Sequence, residues 1–167
     1  MNIKSKKHNS NLYNILLILS RELFFYKKIQ LPDTFETRIY LMFMHFSIFM
    51  IISKKKGFKF DQKKYDFLFH NIEYNLRESG FGDVTVNKKM KEFNKVLYDI
   101  LLKIDLSKTD NKTFKINPAL IKNYFNVFNE AESTKLAQFI DYFLKFYDFC
   151  FELPLDNMIE ESINFKL

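Results

Sequence analysis

Two sets of residues in this sequence have the types and spacing that chemistry would need. One is an ionic stripe, Asp66, His70, Glu73 and Arg77; the other is three arginines in a chain whose remaining cations are lysines. The stripe residues are three or four positions apart, so on a helix they fall within about 60° of one another and form a ladder of i, i+3 and i+4 pairs. His70 and Glu73 also have the spacing of carboxylate and histidine ligands in metal-binding bundles, but such a centre needs matching ligands from other helices. Only His8 and His45 remain for that task, one in a polar leader and the other inside an apolar run. The stripe therefore reads as a surface ion ladder. No H-E-x-x-H, P-loop or G-x-S-x-G pattern occurs, and Cys150 has no basic neighbour in sequence to activate it. Gly80-Phe81-Gly82-Asp83 follows no strand and lacks the third glycine of a dinucleotide fingerprint. The expectation is a chain without catalytic residues, metal, cofactor or small-molecule substrate, and not an enzyme.

The arginines are more informative. A guanidinium presents a planar five-donor fork that an ammonium does not imitate, so arginine kept among lysines marks places where the fork itself is wanted. Arg21 lies in the block Ser20 to Tyr26, Arg38 in the block Leu31 to Arg38, and Arg77 in the block Asn75 to Asp83. The second block contains the Pro32-Asp33 turn, and the third holds two of the three glycines, Gly80 and Gly82.

The elements that position these blocks read as helices throughout, with no alternating strand pattern and no internal repeat. A first helix is expected over about 12–27, with Leu12, Ile15, Leu16, Leu19, Leu23 and Tyr26 inward. Pro32 and Asp33 start the second; Asp33 with Glu36 makes a capping-box pattern, and Gly57 ends the helix after Lys54-Lys55-Lys56. The third, about 61–79, buries Tyr65, Leu68, Phe69, Ile72 and Leu76; Gly80 stops it in a left-handed cap, and Gly82 allows a second unusual backbone step. The fourth spans about Val86 to Ile104, with Val86, Met90, Phe93, Leu97, Ile100 and Ile104 inward and Lys88, Lys91 and Lys95 outward. Residues 105–117 read as an irregular, mobile loop. Asn117-Pro118 opens a fifth helix lined by Leu120, Ile121, Tyr124, Phe125 and Phe128. Ser133 to Cys150 make a sixth, and the acidic tail from Asp156 is expected to fray or dock weakly. The fold class is all-α: a single compact helical bundle of about six helices around a buried central apolar helix. Its organisation is a flexible basic leader over 1–11, a helical domain over 12–153 and an acidic tail over 154–167.

A chain of 167 residues suffices for one such core without staples. Its one cysteine excludes an intramolecular disulfide, fits a reducing compartment, and reads as a small apolar residue on an inner helix face. The net charge of +6 is uneven: +8 over positions 1–60, +3 over 61–129 and −5 over 130–167. The basic end suits an anionic membrane surface or a ribosome. The leader is polar and the apolar run from Leu12 is broken by Arg21 and Glu22, so neither a secretory signal nor a transit peptide is read. Ile39 to Ile52 is uncharged but spans only about 21 Å as a helix, short of the roughly 30 Å of hydrocarbon in a bilayer. It reads as a core helix. A nucleic-acid reading rests on Lys88, Lys91, Lys95 and the lysines at 54–56, interrupted by Glu92 and Asp99; an RNA- or ribosome-binding helical module is the alternative, and DNA is not expected.

These blocks together resemble the ubiquinol-cytochrome c chaperone family, assembly factors for the cytochrome b subunit of ubiquinol-cytochrome c reductase. The resembling positions are Arg21, Phe25-Tyr26, Pro32 to Phe35, Arg38 and His45, then Asn75 to Glu78, Gly80, Gly82, Asp83, Lys88 and Lys91. All three arginines fall on arginine positions of the family. Asn71, Glu73 and Asn87 depart from its pattern. The resemblance implies a non-enzymatic chaperone of newly made cytochrome b, bacterial in layout. It would work in the cytoplasm at the periphery of the inner membrane, or in the mitochondrial matrix if eukaryotic. Arg38, Arg77, Asp83, Lys88 and Lys91 are expected near the client or partner surface, with Pro32, Asp33, Gly80 and Gly82 as structural turns and caps.

Overall fold

Every side chain from Leu41 to Phe49 is buried, so the middle of the uncharged run is enclosed by protein, with Tyr40, Met50 and Ile51 partly covered. The structure is a computed structural model and describes residues 3–107, 113–130 and 133–167, with the side chains of 3–10, 130 and 133 outside that description. Among the described residues it is all helical: α1 Ile3–Ser20, α2 Phe35–Lys55, α3 Gln62–Glu78, α4 Asp83–Lys103, α5 Pro118–Tyr124, α6 Val127–Glu130, α7 Ser133–Phe151 and α8 Met158–Glu161. The longer six are those read from periodicity; α6 and α8 are single turns. α2 is the hub. α1, α4 and α7 pack against it, and α3 closes a layer against α1 and α4.

The α2 helix is 21 residues long, about 32 Å at a rise of about 1.5 Å per residue, so length no longer argues against a membrane span. Burial does: two thirds of its most apolar window is covered by the rest of the chain. A helix apolar all round is stable in water only when so enclosed. Its one imidazole is accommodated by two hydrogen bonds. His45 Nδ1 lies 2.7 Å from the Leu41 carbonyl and Nε2 lies 3.0 Å from the Tyr142 hydroxyl on α7. The arrangement suits a neutral ring that donates from Nδ1 and accepts at Nε2. Phe25, Phe143 and Phe146 surround it.

Several local expectations need correction. The first helix stops at Ser20, and a five-residue π-helical turn, Phe24–Lys28, follows. This change of phase leaves Leu23 exposed and turns Phe25 fully into the core, against Tyr142 at 4.7 Å. The cap of α2 is Thr34, whose hydroxyl accepts from the Thr37 amide; Asp33 instead pairs with Arg38. Gly82 has φ −74 as the N-cap of α4, a backbone open to any residue, so the unusual step belongs to Gly80 alone, at φ +90. The acidic tail docks: Met158, Ile159, Ser162 and Phe165 are buried, and Phe165 meets Tyr142, Phe146 and Phe149 at 5.3–5.6 Å. Apolar residues interleaved with the acids supply that contact.

The expected mobile loop falls partly outside the described residues, since 108–112 are not described. Its described ends are tied. Asp105 bridges Ile116, the Leu106 amide donates to the Lys115 carbonyl at 2.7 Å, and the Asn117 amide donates to the Ile104 carbonyl at 3.0 Å. Lys55 and Lys56, read as surface charge, turn inward. Lys55 Nζ lies 3.3 Å from Asp105 Oδ2 and over the Phe114 and Tyr147 rings. Lys56 Nζ donates to the Phe151 and Leu153 carbonyls at 2.5 and 3.0 Å, capping the end of α7. Cys150 is buried as expected, and burial pushes its thiol up to about 12.

Burial lowers the His45 pKa to about 3 against an ordinary 6.5, with the Leu41 carbonyl opposing the shift. The unfolded chain therefore takes this proton first, and stability falls as pH drops from about 6.5 toward 3, by at most about 1.4 kcal/mol per unit. Urea unfolding between pH 6.5 and 5, above the carboxylate range, is expected to show that slope. His45→Gln is expected to be less stable at neutral pH and nearly flat across the window.

Candidate functional site

The block Asn75 to Asp83 forms the turn of a helical hairpin. The end of α3 is a Schellman cap: the Gly80 amide donates to the Arg77 carbonyl at 3.0 Å, and the Phe81 amide reaches back to Leu76 at 3.4 Å. That closure requires the left-handed backbone of Gly80, and Gly82 then leads directly into α4. Across the turn the Arg77 fork bonds Glu73 Oε1 through Nη2 at 3.0 Å and Asp83 Oδ1 through Nη1. One guanidinium thus ties the last turn of α3 to the first residue of α4, a double contact for which a single ammonium is poorly shaped. Asp83 is exposed and Glu73 half-buried, so the Arg77–Asp83 contact across the turn is screened and orients the turn more than it stabilises it.

Behind the turn the two helices flank an open groove of about 590 Å³, lined by Tyr65, Phe69 and Met90 and by polar side chains including Asp66, His70, Glu73 and Lys91. Tyr65 donates to Asn94 Oδ1 at 2.8 Å across the hairpin and stacks on Phe69 at 4.8 Å, while burial raises its hydroxyl pKa. Of the ladder read from sequence, Glu73 and Arg77 bond directly. Asp66 instead accepts from Gln62 at 3.0 Å. Among the described residues no group of three His, Cys, Asp or Glu is arranged to hold a metal.

The remaining expected residues divide between two places. Asp83 is with Arg77, Lys91 lines the groove, and Lys88 is exposed on α4 outside its lining. Arg38 is elsewhere, on the first turn of α2, with Nε 3.2 Å from Asp33 Oδ1. It shares that neighbourhood with Arg21. Burial raises the hydroxyl pKa values of Tyr13 and Tyr26, and both guanidiniums partly offset the shift. Asn75 connects the two places, donating to the Tyr13 hydroxyl at 2.6 Å. Lys89, which the sequence reading passed over, lies with Nζ 3.4 Å from Glu36 Oε1 and over the Phe81 ring at 5.3 Å. Its place three after Val86 and four before Phe93, at the edge of the buried stripe, was the available signal.

The comparisons agree with this architecture. A family model described as ubiquinol-cytochrome C chaperone matches residues 27–165. The chain belongs to the ubiquinol-cytochrome c chaperone family. The fold is similar to the crystal structure of the Cbp3 homolog from Brucella abortus, with a TM-score of 0.65 and 21% identity over 92% of this chain and 86% of that one. No curated protein matches. The match covers Arg38, Arg77 and the hairpin turn, and leaves Arg21 outside it.

The two glycines of the turn separate by experiment. An added Cβ meets nothing at either, but only Gly80 has positive φ. Gly80→Ala is expected to cost about 1 kcal/mol, and Gly82→Ala less than about 0.5, in urea unfolding of the full chain.

Proposed function

We propose that this chain binds newly made cytochrome b and assists its assembly into ubiquinol-cytochrome c reductase, respiratory complex III. The family match over residues 27–165 carries the reading. Physical support comes from apolar side chains left exposed on the hairpin, Tyr74, Phe81, Val84, Tyr98 and Leu102, although Ile18, Leu23, Phe58 and Leu106 are exposed elsewhere on the bundle. Such a surface beside Arg77, Asp83, Lys88 and Lys91 suits transient shielding: apolar client segments are covered until haem and partner subunits bury them. Arg38 lies on the first turn of α2, which Glu36 joins to the hairpin through Lys89. The work is done at the periphery of the inner membrane, on its cytoplasmic side in a bacterium. There the exposed Arg21, Lys27 and Lys28 face anionic lipid or a ribosome.

The second reading, an RNA- or ribosome-binding module, keeps one favourable observation. Among the described residues none of Lys88, Lys91 and Lys95 has an ion-pair partner. It loses Lys55 and Lys56 to internal contacts. Phosphate-dominated binding weakens steeply with salt, whereas apolar capture does not.

A pull-down from membranes solubilised in mild detergent is expected to recover cytochrome b with the native chain, at low and at high salt. Arg77→Ala and Asp83→Ala are expected to reduce recovery several-fold at unchanged helicity. Unchanged recovery would make the turn purely structural, and ribosomal RNA recovered at low salt without cytochrome b would favour the second reading.

A further inference from the structure

The groove between α3 and α4 has walls of opposite charge. Asp66 and Glu73 project from α3 with His70 between them, and Lys91 lines the α4 side, followed by exposed Lys95. The two walls do not pair across the groove among the described residues, and on the α3 side Glu73 is already paired with Arg77, so Asp66 is the carboxylate left without a cation. Among the described residues Lys91 and Lys95 have no acidic partner, and the nearest partners of Asp66 and Glu73 are Gln62 and Arg77 on their own helix. Between the walls the floor is apolar, with Tyr65, Phe69 and Met90. Tyr98 and Leu102 prolong it along α4 at four-residue steps and stand 57% and 74% exposed.

These features restrict the occupant. A transmembrane span, apolar on all sides, would bury Asp66 and Lys91 without ionic partners, at a cost of several kcal/mol per ion, while Glu73 keeps Arg77. A nucleic-acid strand would meet Lys91 and Lys95 but would be repelled by Asp66 and Glu73. A third helix lying between two antiparallel helices fits the shape, and it satisfies both walls when its own charges are divided. We propose that the α3–α4 groove receives an amphipathic helix whose apolar stripe is flanked by lysine or arginine on the α3 side and by aspartate or glutamate on the α4 side. Because a helix reversed end to end exchanges its flanks, the charge division also sets the direction in which it docks. As the site of the chaperone, the groove rests on the reading above; it then takes an extramembrane helix of the client, not a span.

Three fluorescent peptides of about 18 residues, enough to lie along the hairpin, share one leucine stripe and differ in their flanks: one lysine and one glutamate flank, both lysine, or both glutamate. By anisotropy with the full chain at about 0.15 M salt, the divided peptide is expected to bind about tenfold tighter than either uniform one. Met90→Asp is expected to weaken it by about tenfold. Asp66→Lys with Glu73→Lys, both on the wall and checked for helicity, is expected to transfer the preference to the all-glutamate peptide. Equal affinity for the three peptides, or unchanged preference in the double variant, would overturn the proposal. The two readings fail separately. If the divided peptide binds but the chain recovers no cytochrome b, the groove stands and the cytochrome b assignment falls. If Met90→Asp abolishes peptide binding yet recovers cytochrome b in full, the groove is not where that client binds, and the extension to the client falls.

Discussion

α2 cannot face water on any side. Thirteen of its 21 residues are buried, including every one from Leu41 to Phe49, and leaving such a surface exposed would cost roughly 1.5–3 kcal/mol for each large side chain. The other elements are arranged around that need. α1, α4 and α7 each lay an apolar face against α2. The π-helical turn after α1 brings Phe25 to the same aromatic cluster as His45, Tyr142 and Phe143. With so much of the chain committed to covering one helix, the α3–α4 hairpin is left as a structure whose outer side has no further internal duty.

Enclosure also redirects polar groups. His45 is retained in the core because Leu41 and Tyr142 satisfy both ring nitrogens, and Lys56 reaches back to the carbonyls that end α7. Lys55 and Asp105 pair in a half-dry site: burial disfavours the Asp105 carboxylate, but the Ser107 hydroxyl and amide and the Lys55 ammonium hold its pKa below the usual value. Two lysines of the apparent basic cluster are thereby spent on internal order. Among the described residues Lys88, Lys91 and Lys95 of α4 have no acidic partner, and neither do the exposed Lys27, Lys28, Lys54, Lys59 and Lys63, so positive charge remains on more than one face.

Much of this was legible in the sequence because helix periodicity is a strong signal over long segments. The inward stripes of α3 and α4, the proline-capped start of α5 and the left-handed stop at Gly80 all follow from residue spacing and backbone chemistry. The misreadings have one kind of cause. A π-helical turn shifts the phase of the pattern by a residue, which sequence periodicity does not register, so Leu23 and Phe25 exchanged expected roles. Thr34 and Asp33 are equally good caps on paper, and the choice depends on Arg38 attracting the aspartate. The tail, expected to fray or dock weakly because it is acidic on average, docks through the buried Met158, Ile159 and Phe165. At the candidate site, Arg77 was marked by being arginine among lysines, and its bridge to Glu73 and Asp83 gives that choice a reason. Nothing local in sequence showed that Asn75 and Lys89 tie the hairpin to the neighbourhood of Arg38.

An arginine-tied hairpin with exposed aromatic and aliphatic side chains, on a bundle of the ubiquinol-cytochrome c chaperone family, suits a protein that holds another chain. The central claim is a role in building one respiratory complex. It is tested most directly by removing the chain from the cells that make it and measuring assembled ubiquinol-cytochrome c reductase by native gel and haem b absorbance, with cytochrome oxidase as the internal reference. The account predicts loss of the assembled reductase, with the oxidase retained and recovery when the chain is restored. Normal reductase in cells lacking the chain would contradict it.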